Sequence, residues 1–190
     1  MLNNNEFLPT EYEVPKGESS YLKFQTGENK FRILSKPIIG WEDWKDNKPI
    51  RFPMDKKPST SVDPKKPVKH FWAFVVWDYA GKRIAILEVT QKSVQNAIQA
   101  LTKDADWGSP FDYDIKVTKT GSNMETEYTV NPVPHKPVHP QITELYKKTP
   151  VNLQELFTGG DPFAKPAQVQ VKDDFLEKMN ADLEDDSVPF

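Results

Sequence analysis

His70-Phe-Trp-Ala-Phe-Val-Val-Trp-Asp-Tyr-Ala-Gly-Lys-Arg-Ile-Ala-Ile-Leu-Glu-Val-Thr90, continued by Gln91-Lys-Ser-Val-Gln-Asn-Ala-Ile-Gln-Ala-Leu-Thr-Lys103, is the densest apolar stretch of the chain. It reads as strand, tight turn, strand and helix. Phe71 to Asp78 is almost entirely aromatic or β-branched, and Arg83 to Thr90 carries Ile84, Ile86, Leu87 and Val89, the composition of paired strands. Ala80-Gly81 closes the hairpin, with glycine expected to supply a positive φ. The period then changes. Val94, Ala97, Ile98 and Leu101 recur at i, i+3, i+4 and i+7, one face of an amphipathic helix that Thr90 or Ser93 can cap.

An even-numbered turn pairs Val76 with Ala85, Phe74 with Leu87 and Trp72 with Val89, an apolar set suited to the interior. The opposite face then carries Phe71, Ala73, Val75 and Trp77 beside Ile84, Ile86 and Glu88, and is the candidate outer surface. A change of one residue in turn length exchanges the two faces, so Trp72 and Phe74 stay open as outer residues. The alternative is that both faces are covered, by helices or by a second subunit.

The chain has 190 residues, enough for one domain with a substantial core plus appendages. It has no cysteine, which excludes disulfides and thiolate metal sites and fits a reducing compartment. No apolar run approaches membrane-spanning length, and Met1-Leu-Asn-Asn-Asn-Glu6 lacks the charged and apolar regions of a signal peptide. The expectation is a soluble protein of the cytoplasm. A formal net charge of -3 conceals an asymmetry. Residues 166–190 hold two lysines against seven acids, a net of -5, whereas residues 45–69 hold eight basic residues against three acids, a net of +5. A basic middle and an acidic end are expected of a polyanion binder with an interaction tail.

Along the chain, residues 1–20 are polar and read as a flexible arm. Tyr21-Leu-Lys-Phe24, a turn at Thr26 to Asn29, and Lys30 to Ile39 give a long first strand. Residues 45–69 contain five prolines among the lysines. That density is expected to prevent any regular element and to leave a long basic loop. A disordered solubilising insertion is the competing reading, opposed by the flanking Trp41, Trp44 and Phe52. Beyond the helix, Asp112 to Thr118 and Glu125 to Val130 alternate at period two around Thr120 to Asn123 and form a second hairpin. The order strand, loop, strand, strand, helix, strand, strand is that of the OB-fold, a five-stranded Greek-key barrel whose strand 2 and 3 face binds oligonucleotides. The fold class is therefore all-β dominated with minor α. Residues 21–135 form the barrel, 136–158 a short helical extension (Pro140 to Lys147 and Thr149 to Phe157), and 159–190 a flexible acidic tail.

Single-stranded nucleic acid offers phosphates that reward lysine and arginine and unstacked bases that reward flat rings. Trp41, Trp44, Phe52, Phe71, Trp77 and Tyr79 alternate with Lys45, Lys48, Arg51, Lys56, Lys57, Lys65, Lys66, Lys69, Lys82 and Arg83. These sixteen residues are the candidate contact surface for single-stranded DNA.

The chain ends Asp182-Leu-Glu-Asp-Asp-Ser-Val-Pro-Phe190. This resembles the C-terminal tip of bacterial single-stranded DNA-binding proteins, an acidic run closed by an aliphatic residue, Pro and Phe. The resemblance implies that Asp185, Asp186, Val188, Pro189 and Phe190 bind replication and repair proteins, the Phe ring entering an apolar pocket. Ser187 departs from that pattern, where a further aspartate is usual, and so does Val188, where isoleucine is common. The body, from Tyr21-Leu-Lys-Phe24 through Gly40-Trp-Glu-Asp-Trp44, Lys48-Pro-Ile-Arg-Phe52, Phe71 to Trp77, Leu87 to Gln95 and Asp106-Trp-Gly-Ser-Pro110, is instead similar to the single-stranded DNA-binding proteins of tailed bacteriophages. That similarity implies an OB-fold, non-sequence-specific and often cooperative binding, and work in phage replication or recombination in the host cytoplasm.

No Gly-rich phosphate loop, nucleophile elbow or HExxH is present, so an enzyme is not expected. Asp104 with Asp106, and Asp112 with Asp114, could in principle hold magnesium in a nuclease, but such pairs are ordinarily solvated turn residues. His135 and His139 stand in a Pro-rich spacer that disfavours a metal pair. No cofactor or metal is implied, and no membrane partner; a homo-oligomer is left open. The competing functional reading is a protein-interaction adaptor whose Pro-Phe tip captures clients of the host single-stranded DNA-binding protein.

Overall fold

The computed structural model describes residues 19–163. They form eight strands, three α-helices and a 3-10 turn at Asn123–Glu125: β1 (Tyr21–Leu22), β2 (Gly27–Ile33), β3 (Ile38–Lys45), β4 (Lys48–Pro53), β5 (Lys69–Asp78), β6 (Arg83–Val89), α1 (Lys92–Lys103), β7 (Asp114–Thr120), β8 (Glu127–Pro132), α2 (Pro140–Lys148) and α3 (Glu155–Thr158). The strands make one sheet in the order β1-β6-β5-β2-β7-β8, with β3 pairing both β4 and β5 and no pairing of β8 with β6 to close it. Among these residues no helix is long and apolar enough to cross a membrane.

The β5–β6 pairing is Trp72 with Val89, Phe74 with Leu87 and Val76 with Ala85, the register expected of an even turn. That turn spans Tyr79 to Lys82, and its left-handed residue is Lys82 at φ 50°, not a glycine. Asp78 shapes it by accepting from the N–H groups of Ala80 and Gly81, both at 3.1 Å. Gly81 leaves room instead for the Asp78 carboxylate and the Arg83 guanidinium, which a Cβ there would have to displace.

Phe74, Val76, Ala85, Leu87 and Val89 are buried with Phe31, Ile33, Tyr113, Ile115, Val117 and the helix residues Val94 and Ile98. The other face of β5 and β6, the candidate outer surface, is buried too, so the alternative of two covered faces holds. Phe71, Ala73 and Ile86 form a second core with Leu156, flanked by Tyr21, Ile38, Val151, Leu153, Phe157 and Phe163. The segment around α3 folds across this face, and burial of those rings is its driving force.

The expected first strand, Lys30 to Ile39, is two strands. β2 pairs with the C-terminal half of β5 and β3 with its N-terminal half. The break falls at Leu34 to Pro37, where proline lacks a donor for the ladder. Ser35 repairs it, its hydroxyl accepting from Val75 N–H at 2.8 Å.

The 45–69 stretch also differs from expectation, for it contains β4. Strands β3 and β4 join through Asp46 and Asn47 at φ 50° and 60°, the left-handed pair that a two-residue hairpin turn demands. Lys45 pairs with Lys48, so Pro49 and Pro53, opposite Trp44 and Gly40, fall at alternate positions whose N–H would point away from β3. The prolines are thus compatible with an edge strand. The rest of the loop is tied back where Val62 N–H donates to the buried Asp43 carboxylate at 2.9 Å.

The spacer after β8 is anchored by Arg32. This guanidinium, 1% exposed, meets Asp114 Oδ1 at 2.6 Å and donates to the carbonyls of Phe111 and Lys136 at 3.2 and 2.6 Å. His139 accepts from Gln141 N–H as the N-cap of α2. The second extension helix is shorter than expected, because Thr149 ends α2 and α3 begins only at Glu155.

Candidate nucleic-acid interface

Strands alternate their side chains, so Trp41 and Trp44, three residues apart on an unbulged β3, point to opposite faces of the β3–β4 hairpin. The face shared by Trp41 carries its cross-strand partners Phe52 and His70, then the next pair, Ile39 and Trp72. Trp41 and His70 rings lie 5.1 Å apart. The His70 ring is locked: Nδ1 lies 2.9 Å from Gly40 O and Nε2 3.1 Å from the Trp72 indole nitrogen. Since an indole N–H only donates, Nε2 is the acceptor and Nδ1 carries the hydrogen. Trp41 is held by its own N–H donating to Met54 O at 3.1 Å. Ile39 and Met54, 42% and 54% exposed, extend the apolar surface beside these half-buried rings.

Each hairpin tryptophan has a lysine on its ring. Lys57 Nζ lies 4.3 Å from the centre of Trp41 and Lys66 Nζ 4.8 Å from that of Trp44, both within cation–π range. Lys45 and Lys48 flank the hairpin turn, and Lys56, just past the far end of β4, Lys65 and Lys69 are exposed. Beneath Trp44 lies a cavity of about 460 Å³ lined by Glu42, Trp44, Lys65, Lys66, Pro67, Lys69, Glu88 and Thr90. The Trp44 indole N–H donates to Glu42 Oε1 at 3.0 Å. Arg51 is committed inward, with Nε 2.6 Å from Glu88 Oε2 and a terminal nitrogen only 3.9 Å from Glu42 Oε2. Burial, and then the adjacent Glu88 carboxyl, push Glu42 up to about 7. Its Oε2 has no donor among the described residues, the situation of a carboxyl that holds its own proton near neutrality.

The remaining expected contact residues sit elsewhere. Trp77, Tyr79, Lys82 and Arg83 gather at the far end of β5, roughly 25 Å along the strand from His70. Trp77 meets Tyr79 edge-on at 6.4 Å. Lys30 lies 4.4 Å above the Tyr79 ring, and the Tyr79 hydroxyl donates to Asp114 at 3.0 Å. Burial first, then Asp114, push that phenol up to about 12. Arg83 is tied to Asp78 at 3.3 Å and to Tyr21 O at 3.2 Å. Phe71, at 0% exposure beneath Leu156 and Phe157, has no surface to offer. It drops out of the candidate surface, and Arg51 with it, because Glu88 holds its guanidinium. Asp185, Asp186, Val188, Pro189 and Phe190 lie outside the described residues, as does most of the arm.

The sequence did not single out His70, Ile39, Glu42 or Glu88 as contact residues, and it left Trp72 open between interior and outer face; Trp72 packs against the main core and shares the face of Trp41. The signal for His70 and Ile39 was the β3–β5 register, which depends on the break after Ile33.

A phage protein is similar to this chain in sequence. The chain is 28% identical over 142 residues to a protein of Escherichia phage T5 named "Probable ssDNA-binding protein", the match covering 60% of this chain and 54% of that one. It therefore spans about half the length of that relative. No protein-family model matches the chain, and no solved structure matches it.

Proposed function

We propose that this protein binds single-stranded DNA without sequence specificity and serves phage DNA replication or recombination. The observation that carries the reading is the ring set Trp41, Phe52, His70 and Trp72 on one face of β3, β4 and β5, with Lys57 already resting on Trp41. Bases stacking on such rings and phosphates meeting the surrounding lysines need no base-edge readout. The name of the T5 relative supports it. The strand order β6-β5-β2-β7-β8, with a helix between β6 and β7, supports an OB-type barrel left open between β6 and β8. The surface it uses comprises Trp41, Trp44, Lys45, Lys48, Phe52, Lys56, Lys57, Lys65, Lys66, Lys69 and, newly, His70 and Trp72. Trp77, Tyr79, Lys82 and Arg83 form at most a distal contact. The C-terminal tip, Asp185 to Phe190, recruits replication proteins by the resemblance noted above. The protein is not an enzyme in this reading.

Titration of a mixed-sequence single strand into the protein, followed by tryptophan fluorescence, tests it. Quenching with an affinity that falls steeply with salt is expected. An unaltered spectrum, or an affinity indifferent to salt, would reject it. Truncation before Asp182 is expected to abolish capture of replication proteins and to leave DNA affinity equal or higher.

A further inference from the structure

We propose that the cavity beside Trp44 is a base-reading subsite that favours the amino-bearing bases adenine, cytosine and guanine over thymine; this rests on the single-stranded DNA reading above. At about 460 Å³ the cavity falls within the size range of small-molecule sites. Its chemistry is graded from rim to floor. Lys65 and Lys69 are exposed and Lys66 half-buried, placing cationic groups where a phosphate would enter. Trp44 supplies a flat wall, and Lys66, 4.8 Å from its ring centre, marks the space that a base would occupy.

Glu42 and Glu88 are among the residues lining the same cavity. Glu42 is 4% exposed with Oε2 unpartnered among the described residues, whereas the Glu88 side chain keeps 18% of its surface. Arg51 is spent on Glu88 Oε2 and the Trp44 N–H on Glu42, so the lysines that line the cavity are the strong donors left to it. What faces an entering base edge is therefore the Glu88 carboxylate, the more exposed of the two carboxyls, with Lys65, Lys66 and Lys69 around it. Adenine and cytosine present an exocyclic amino group, and guanine presents N1–H beside its amino group; all three can donate to a carboxyl oxygen. Thymine flanks its single N3–H with two carbonyl oxygens, which would sit against the carboxylate. The discrimination belongs to one position of the bound strand, and the remaining bases stack without preference on the Trp41 face.

The test compares oligo-dC, oligo-dA and oligo-dT of equal length on the full chain, at one salt concentration, by fluorescence anisotropy. Oligo-dC and oligo-dA are expected to bind roughly fivefold more tightly than oligo-dT. Glu88→Gln, whose amide can donate to a thymine carbonyl, is expected to bring the dC-to-dT ratio close to one. Should Glu88→Gln fail to fold by circular dichroism, Trp44→Ala is expected to lower the same ratio by removing the wall. Equal and tight binding of all three oligonucleotides by the unaltered protein would overturn the subsite while leaving the DNA-binding reading intact. A ratio that survives Trp44→Ala would overturn it as well. Failure to bind any of the three would instead remove the reading beneath it.

Discussion

Trp72 donates its indole N–H to Nε2 of His70 at 3.1 Å, so a ring of the candidate interface is oriented by a second ring that itself faces Trp41. The chain Trp72, His70, Gly40 is a line of two hydrogen bonds running across β5 into β3. Replacing His70 by Phe keeps a ring opposite Trp41 but leaves the Trp72 N–H without its acceptor. A loss of about 1–3 kcal/mol in stability is expected for a half-buried donor left unpaired, read by urea denaturation. DNA affinity is expected to fall several-fold as Trp72 loses its fixed plane. An unchanged midpoint and affinity would mean that the histidine positions nothing.

Trp41 and Trp77 were equivalent in the sequence and are not equivalent in the fold. Trp41 stands on the ring-bearing face with Lys57 above it, whereas Trp77 sits near the β5–β6 turn, edge-on to Tyr79. Trp41→Ala is expected to weaken binding of a mixed-sequence strand by about 1–3 kcal/mol, the usual worth of one stacked base. Trp77→Ala is expected to change affinity by less than about threefold. Equilibrium titration of both variants distinguishes the faces, and a larger loss at Trp77 would move the interface to the other end of β5.

Asp114 joins Arg32, Lys30 and Tyr79 in one buried cluster. Burial alone would raise its pKa, but hydrogen bonds from Arg32, Lys30 and Tyr79 and the charge of Arg32 outweigh it and hold the carboxyl below its usual range. Its folded pKa is depressed, so the stability it contributes is complete above the unfolded value near 4 and is lost as pH falls through the lower folded value. Asp114→Asn is expected to flatten that acid limb of the stability curve, measured by urea melts from pH 6 downward. Arg32→Met, which leaves the buried aspartate with only Lys30 and Tyr79 and frees the spacer at Lys136, is expected to cost about 3 kcal/mol near neutrality.

The β5–β6 hairpin and α1 were legible because their signals are local: period two, a short turn, then a 3.6-residue period. The face that α3 covers was not, since nothing in Phe71 to Trp77 states that residues 151 to 163 return to lie on it. The β3–β4 hairpin was hidden by its own prolines. Asp46-Asn47 is a good two-residue turn, yet Pro49 and Pro53 argue against a strand until the register puts both at non-bonding positions of an edge. The candidate site was half legible for the same reason. Composition picked out the tryptophans and lysines, but only the β3 pairing separates Trp41 from Trp44 and brings in His70 and Trp72. Arg51 was misjudged because its partner Glu88 lies 37 residues away in sequence.

Glu42 gives stability a second pH dependence, opposite in sign to that of Asp114. Its folded pKa is raised to about 7 by burial and by Glu88, against the pull of Arg51 and of the Trp44 N–H. A carboxyl raised on folding favours the folded state when protonated. Its contribution is therefore complete below the unfolded value near 4 and is lost as pH rises through about 7. Unfolding free energy is expected to decline by on the order of 2 kcal/mol between pH 5 and pH 8 from this group alone. Glu42→Gln keeps an oxygen for the Trp44 N–H and supplies an N–H₂ toward Glu88, so it is expected to remove the decline and to be the more stable protein at pH 8. Urea melts of both proteins across that range decide it: parallel curves for the two would mean that Glu42 is ionised throughout and that Arg51 serves both glutamates.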